Sequence, residues 1–166
     1  MDRVIPSSNA NEREMLEAWI DFHRATLSMK CEGLGAEDLR RRSAEPSALS
    51  LLGLVRHLAE VERSWFRHTF LGEAAPPIWY TSENGGSEFE VADADVDEAF
   101  TRWLEECEHS REVVARARNL NVVSKRQPYD KPITLRWIMT HMIEEYARHN
   151  GHADLLRERI DGTTGV

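Results

Sequence analysis

The last long segment of the chain, from Thr134 to Gly162, constrains the fold more than any other stretch. At about 100° per residue, Ile138, Met139, Met142, Tyr146, Ala153, Leu156 and Ile160 line up as one apolar stripe, the mark of an amphipathic helix. Glu145 and His149 fall inside that stripe, one turn apart, where packing calls for aliphatic side chains. Burying an ionised carboxylate without a partner costs several kcal/mol or more. A divalent metal completed by a third ligand from another helix removes that penalty. The segment therefore predicts a helical bundle with a metal site inside it.

Three further helical segments supply the rest of such a bundle. The first runs from about Asn9 to Cys31, opening with Asn9 and Glu12 at capping-box spacing and ending at Gly33 and Gly35. Leu16, Trp19, Ile20, His23 and Leu27 share its face. The second starts near Ser47 or Ser50, carries Leu51, Leu54, Leu58, Val61 and Trp65 on one face, and stops at Gly72. Asp93 or Asp95 caps the third, in which Phe100, Trp103, Leu104, Cys107, Val114 and Ala117 repeat at helical spacing. Thr134 caps the fourth. No stretch alternates with the strand period. The fold class is all-α, one domain over residues 1–166.

Two connections are long. Glu73 to Asp95 contains Pro76-Pro77, the cluster Ile78-Trp79-Tyr80 and Gly85-Gly86, and its length marks it as functional or mobile. Asn121 to Pro132 is the other. Long connections favour a four-helix bundle with crossovers over a chain of hairpins.

His57 stands at the edge of the second helix's buried face, next to the Leu54/Leu58 row. A lone histidine there is ordinarily a boundary residue bonded to a neighbour. The Glu145/His149 pair changes its weight, because side chains at i and i+4 stand over one another and converge on one ion. Two ligands from one helix and a third from another leave an open coordination position, as catalytic sites do. His141 and His152 also lie within reach, but toward the stripe's edge, which suits supporting or surface roles. His23 is a weaker candidate, and His68 and His109 read as solvated.

Charge excludes some functions. The 29 acidic and 21 basic residues give a net charge of −8, unsuited to gripping nucleic-acid phosphates. Cys31 and Cys107 are too far apart for a CxxC motif and sit at apolar helix positions, as small buried thiols do. No apolar run approaches the ~20 residues of a membrane span, and the N-terminus carries no hydrophobic signal core. The cytoplasm is the expected compartment.

The run Leu54-Val55-Arg56-His57-Leu58-Ala59-Glu60-Val61-Glu62, together with Met142-Ile143-Glu144-Glu145-Tyr146-Ala147-Arg148-His149-Asn150-Gly151-His152-Ala153-Asp154, resembles the DinB-like superfamily. The nearest branch is similar to mycothiol S-transferases and to the metal-binding domain of mycothiol-dependent maleylpyruvate isomerase. The resemblance implies a four-helix bundle of up-down-down-up topology, a homodimer, and a divalent metal, often zinc or nickel, held by three side chains. It maps those ligands onto His57, Glu145 and His149. Many relatives use three histidines, so the glutamate is a departure from that pattern, but it matches the His, Glu, His site of the isomerase type.

The expected function is a metal-dependent thiol S-transferase in thiol-based detoxification. A low-molecular-weight thiol, mycothiol as the resemblance implies, would bind the open position as thiolate and attack a small electrophile. The chain then needs no nucleophile of its own. Residue types leave Zn, Ni, Fe and Mn open as the metal, with Zn first. Metal-assisted hydrolysis is the enzymatic alternative, and a dimeric bundle that only binds metal or a small molecule is the non-enzymatic one. Trp19, Trp65, Trp103 and Trp137 are more large aromatics than a small core needs, which adds to the case for a dimer.

Overall fold

The computed structural model describes residues 2–79 and 87–165. Tyr80, Gly85 and Gly86 lie outside the described residues. Among those described, the regular structure is helical: α1 (Glu12–Cys31), α2 (Ala36–Arg40), α3 (Leu51–Glu62), α4 (Val96–Arg116) and α5 (Leu135–Asp161). A π-helical turn, Arg63–Phe70, continues α3 without a break. The only pairing of the β type among these residues is an isolated bridge between Val123 and Thr134.

Polar caps set the helix starts. Asn11, Ser50, Asp95 and Thr134 each accept a hydrogen bond from a backbone N–H in the first turn of α1, α3, α4 and α5, satisfying a donor the helix cannot. The start of α1 differs from the sequence expectation. Asn9 does not cap it, because its side-chain oxygen accepts from the Ser7 hydroxyl at 2.6 Å in the preceding turn. Gly162 closes α5 at φ 78°, a left-handed conformation that glycine adopts without strain. The five-residue α2 was not anticipated from the sequence. It buries only Leu39, too little to leave a periodic signal.

The buried apolar residues form one cluster shared by α1, α3, α4 and α5. Helix α1 packs on α5, and α3 packs on α4 and α5. Every residue of α3 is buried except His57, so α3 is the central helix and His57 its one opening to the outside. Trp103, read above as a surplus aromatic, is 1% exposed and belongs to this core. Trp19 and Trp137 are exposed. Leu104 lies on the solvated side of α4 despite its place in the helical repeat.

A buried polar network crosses the core. Arg24 on α1 donates two hydrogen bonds of 2.8 Å to the carboxylate of Glu62 on α3. Tyr146 on α5 donates its hydroxyl to Glu62 at 2.9 Å. Trp103 on α4 donates its indole N–H to the Tyr146 oxygen at 2.8 Å. All four long helices thus contribute to one chain of bonds in which each member is satisfied.

Both long connections fold back onto the helices. The N–H groups of Lys125 and Arg126 donate to the carbonyls of Phe70 and Thr69, covering the end of the π-helical turn. The Glu60 carboxylate accepts from the N–H groups of Ile78 and Trp79, and the Arg56 guanidinium lies 4.9 Å from the Trp79 ring centre. These contacts hold residues 78 and 79 against α3.

Candidate metal centre

The interface of α3 and α5 brings His57, Glu145 and His149 together. Glu145 and His149 are one turn apart on α5, and His57 faces them across the helix pair. The Glu145 Oε2 atom lies 3.4 Å from His149 Nε2 and 3.8 Å from His57 Nε2. One ligand atom from each of the three falls within 4.8 Å of the other two. Ligands bound at 2.0–2.1 Å to a common tetrahedral centre stand roughly 3.4 Å apart, so the cluster fits a divalent ion. The set of two imidazoles and one carboxylate is also chemically suited to one.

The placement of the pair on α5 refines the sequence reading. Glu145 and His149 do not lie in the middle of the apolar stripe but on its flank, their side chains 17% and 12% exposed. His57 is similar at 21%. The cluster is therefore shielded but reachable by a small molecule.

Electrostatics tie the three groups to each other. The imidazoles of His149 and His57 beside it hold the Glu145 carboxyl well below the usual carboxylate range. Burial alone would lower the His57 imidazole, but the carboxylates of Glu145 and Glu88 outweigh it and push it up to about 9. Without an ion, the site is an ion pair between imidazolium and carboxylate. A bound divalent cation would take the place of that proton.

The neighbours fill supporting places. His152 Nδ1 meets His149 Nδ1 at 3.3 Å, on the side of the ring opposite Glu145. His141 Nε2 lies 3.4 Å from Glu145 Oε1, the oxygen turned away from His57 and His149. His141, Glu144 and Glu145 form a second group with ligand atoms within 4.8 Å of one another. Glu144 also pairs with Arg148 on the outer face of α5. His141 stacks on Trp137 at 5.0 Å and meets Trp65 edge-on at 4.9 Å. His23 sits elsewhere, against Asn150 and the Trp19 and Phe22 rings. His68 and His109 are half-buried rather than solvated, and the His109 Nε2 atom is buried.

One residue escaped the sequence reading. Glu88 accepts a hydrogen bond at 2.9 Å from His57 Nδ1, the ring nitrogen facing away from the cluster. It belongs to the connection after α3, where no helical period marks which side chain turns inward.

Both cysteines are buried, as expected. Burial pushes the Cys31 and Cys107 thiols up to about 12, so neither is a thiolate at neutral pH.

A family model described as mycothiol-S-transferase matches residues 15–162. No curated protein and no solved structure matches the chain.

Proposed function

The chain belongs to the mycothiol-S-transferase family, and from that membership we propose that it is a metal-dependent S-transferase joining a low-molecular-weight thiol, mycothiol, to a small electrophile. The observation that carries the reading is the convergence of His57, Glu145 and His149 at the α3–α5 interface. These three side chains would hold a divalent ion, zinc first among the candidates. Such an ion supplies Lewis acidity that makes a thiol acidic enough to act as thiolate at neutral pH.

The protein's own groups do the rest. His57 and His149 turn their Nε2 atoms to the cluster, while Glu145 brings a negative charge that offsets the cation. Cys31 and Cys107 stay protonated and out of the reaction, which leaves the external thiol as the nucleophile. We further propose a single domain over residues 1–166, up-down-down-up helix order, a cytoplasmic location and a homodimer, the last supported by the exposed Trp19 and Trp137.

The test is a conjugation assay with mycothiol and an electrophile such as a bimane or an epoxide. Metal-loaded protein accelerates conjugation, chelation abolishes the acceleration, and His57→Ala abolishes it while the helical circular-dichroism signal survives. Turnover of esters or amides without thiol, and none with it, would make the protein a hydrolase. Metal binding with no turnover of either kind would leave a binding protein.

A further inference from the structure

His57 is the one residue of α3 that is not buried, and a short stretch of the long connection, just before α4, packs over it. Glu88 Oε1 is 2.9 Å from His57 Nδ1. The Phe89 ring stacks on the imidazole with centres 5.2 Å apart and planes at 27°. The Glu90 carbonyl accepts from the Arg56 guanidinium at 2.6 Å. Three consecutive residues thus grip two consecutive residues of α3. The segment is also held from within, because the Ser87 hydroxyl accepts from the Phe89 N–H at 3.1 Å and reaches Glu88 Oε2 at 3.4 Å.

The approach depends on Gly53. A Cβ at that position would stand 3.0 Å from Phe89 Cδ1, 3.2 Å from the Ser50 hydroxyl and 3.5 Å from Phe89 Cα. An added methyl would press on the Phe89 ring and the Ser50 hydroxyl, which would have to give by a few tenths of an ångström.

A neutral imidazole carries its proton on one nitrogen and a lone pair on the other, and only the lone pair binds metal. A carboxylate on Nδ1 keeps the proton there and leaves the Nε2 lone pair free. It also stops the ring from rotating away from Glu145 and His149. We propose that Glu88 is the positioning residue of the candidate centre, fixing the tautomer and orientation of His57, and that Gly53 and Phe89 hold it in place. The proposal rests on the reading of His57, Glu145 and His149 as a metal-holding set.

The experiment measures Co²⁺ and Zn²⁺ affinity of the full chain by competition with a chelating dye. Glu88→Ala weakens binding by about 10–100-fold, the usual loss when a carboxylate behind a metal-binding histidine is removed. Glu88→Gln, which keeps an acceptor oxygen, recovers part of that loss. Gly53→Ala displaces Phe89 without touching a polar group of the cluster and weakens binding in the same direction. In a His57→Ala background, Glu88→Ala changes affinity by less than about twofold, because its effect passes through His57. Wild-type affinity in His57→Ala itself would sink the ligand set, and this proposal with it. A loss in His57→Ala with none in Glu88→Ala would overturn this proposal alone. So would a Glu88→Ala loss that persists in full without His57.

Discussion

Tyr146 donates its hydroxyl to Glu62 at 2.9 Å in the middle of the protein, and this bond ties α5 to α3. The residue before Tyr146 carries the candidate site, with Glu145 Oε2 3.8 Å from His57 Nε2. The pairs Tyr146/Glu62 and Glu145/His57 join the same two helices. One is sealed in the core and the other opens outward.

Removing the inner bond separates its two contributions. Tyr146→Phe keeps the ring but removes one donor to Glu62 and leaves the buried Trp103 indole N–H without its acceptor, so unfolding free energy falls by about 1–3 kcal/mol. Glu62→Gln takes the buried counter-charge from Arg24 and leaves it only the half-exposed Asp21, which costs more, about 3–5 kcal/mol. Urea unfolding monitored by circular dichroism reads both. An unchanged midpoint in Tyr146→Phe would reduce the tyrosine to a packing role.

The two adjacent glutamates of α5 separate ligation from surface charge. Glu145→Gln removes the carboxylate that faces both imidazoles. Metal affinity drops by on the order of 100-fold, as large as the upper end of losses from groups behind a ligand. Glu144→Gln loses a contact to Arg148 on the outer face and keeps metal through dialysis. Equal retention in the two variants would remove Glu145 from the ligand set.

Helix ends and the candidate site were legible in the sequence to different degrees. Ser50, Asp95, Thr134 and Gly162 bound their helices where cap chemistry places them, because a cap is a local event. Glu145 and His149 stood out because polar groups interrupt a strong period, and His57 because that pair called for a third ligand at the edge of another helix's buried face. The polar network did not stand out. Tyr146, Trp103 and Cys107 occupy apolar positions by spacing, and Glu62, which accepts from Tyr146 and Cys107, closes a charged run, so nothing local reveals that they meet. Glu88 was hidden for a related reason. It joins His57 across 31 residues of chain, and loop residues carry no period from which a direction can be read.

Asp21 gives the acid limb of stability a specific origin. Burial raises its pKa, but the hydrogen bond from Arg111 and the charge of Arg24 outweigh that, and it lies below the ordinary value of 3.8. A carboxyl whose folded pKa is depressed stabilises the fold above its unfolded value and loses that contribution as pH falls through the folded one. Between about pH 5 and pH 2 the urea midpoint of metal-free protein therefore declines less steeply in Asp21→Asn than in the wild type. Parallel curves would place the acid sensitivity in other carboxylates.

Native protein withholds its thiols. With both side chains buried, a disulfide-exchange dye titrates neither cysteine in buffer and both of the chain's 2 cysteines in denaturant. Cys107→Ser and Cys31→Ser retain transferase activity. Rapid labelling of the folded chain, or inactivation of a serine variant with its fold intact, would bring a protein thiol back into the reaction.

Association is the remaining test. Trp19 and Trp137 are 37% and 41% exposed, and a dimer that covers either ring quenches or shifts its emission and appears by light scattering at about twice the chain mass. A clean monomer at micromolar concentration would refute the homodimer.

Cysteines locked at a pKa of about 12 have a consequence for the working life of such a catalyst. An enzyme of the proposed kind would meet electrophiles that attack thiolates, and every reactive thiol it carried would shorten its service. In the thiol transfer proposed above, the activated sulfur would arrive with the co-substrate and depart with the product. Neither cysteine presents a thiolate to such an agent, and that protection comes from the same packing that holds the chain folded.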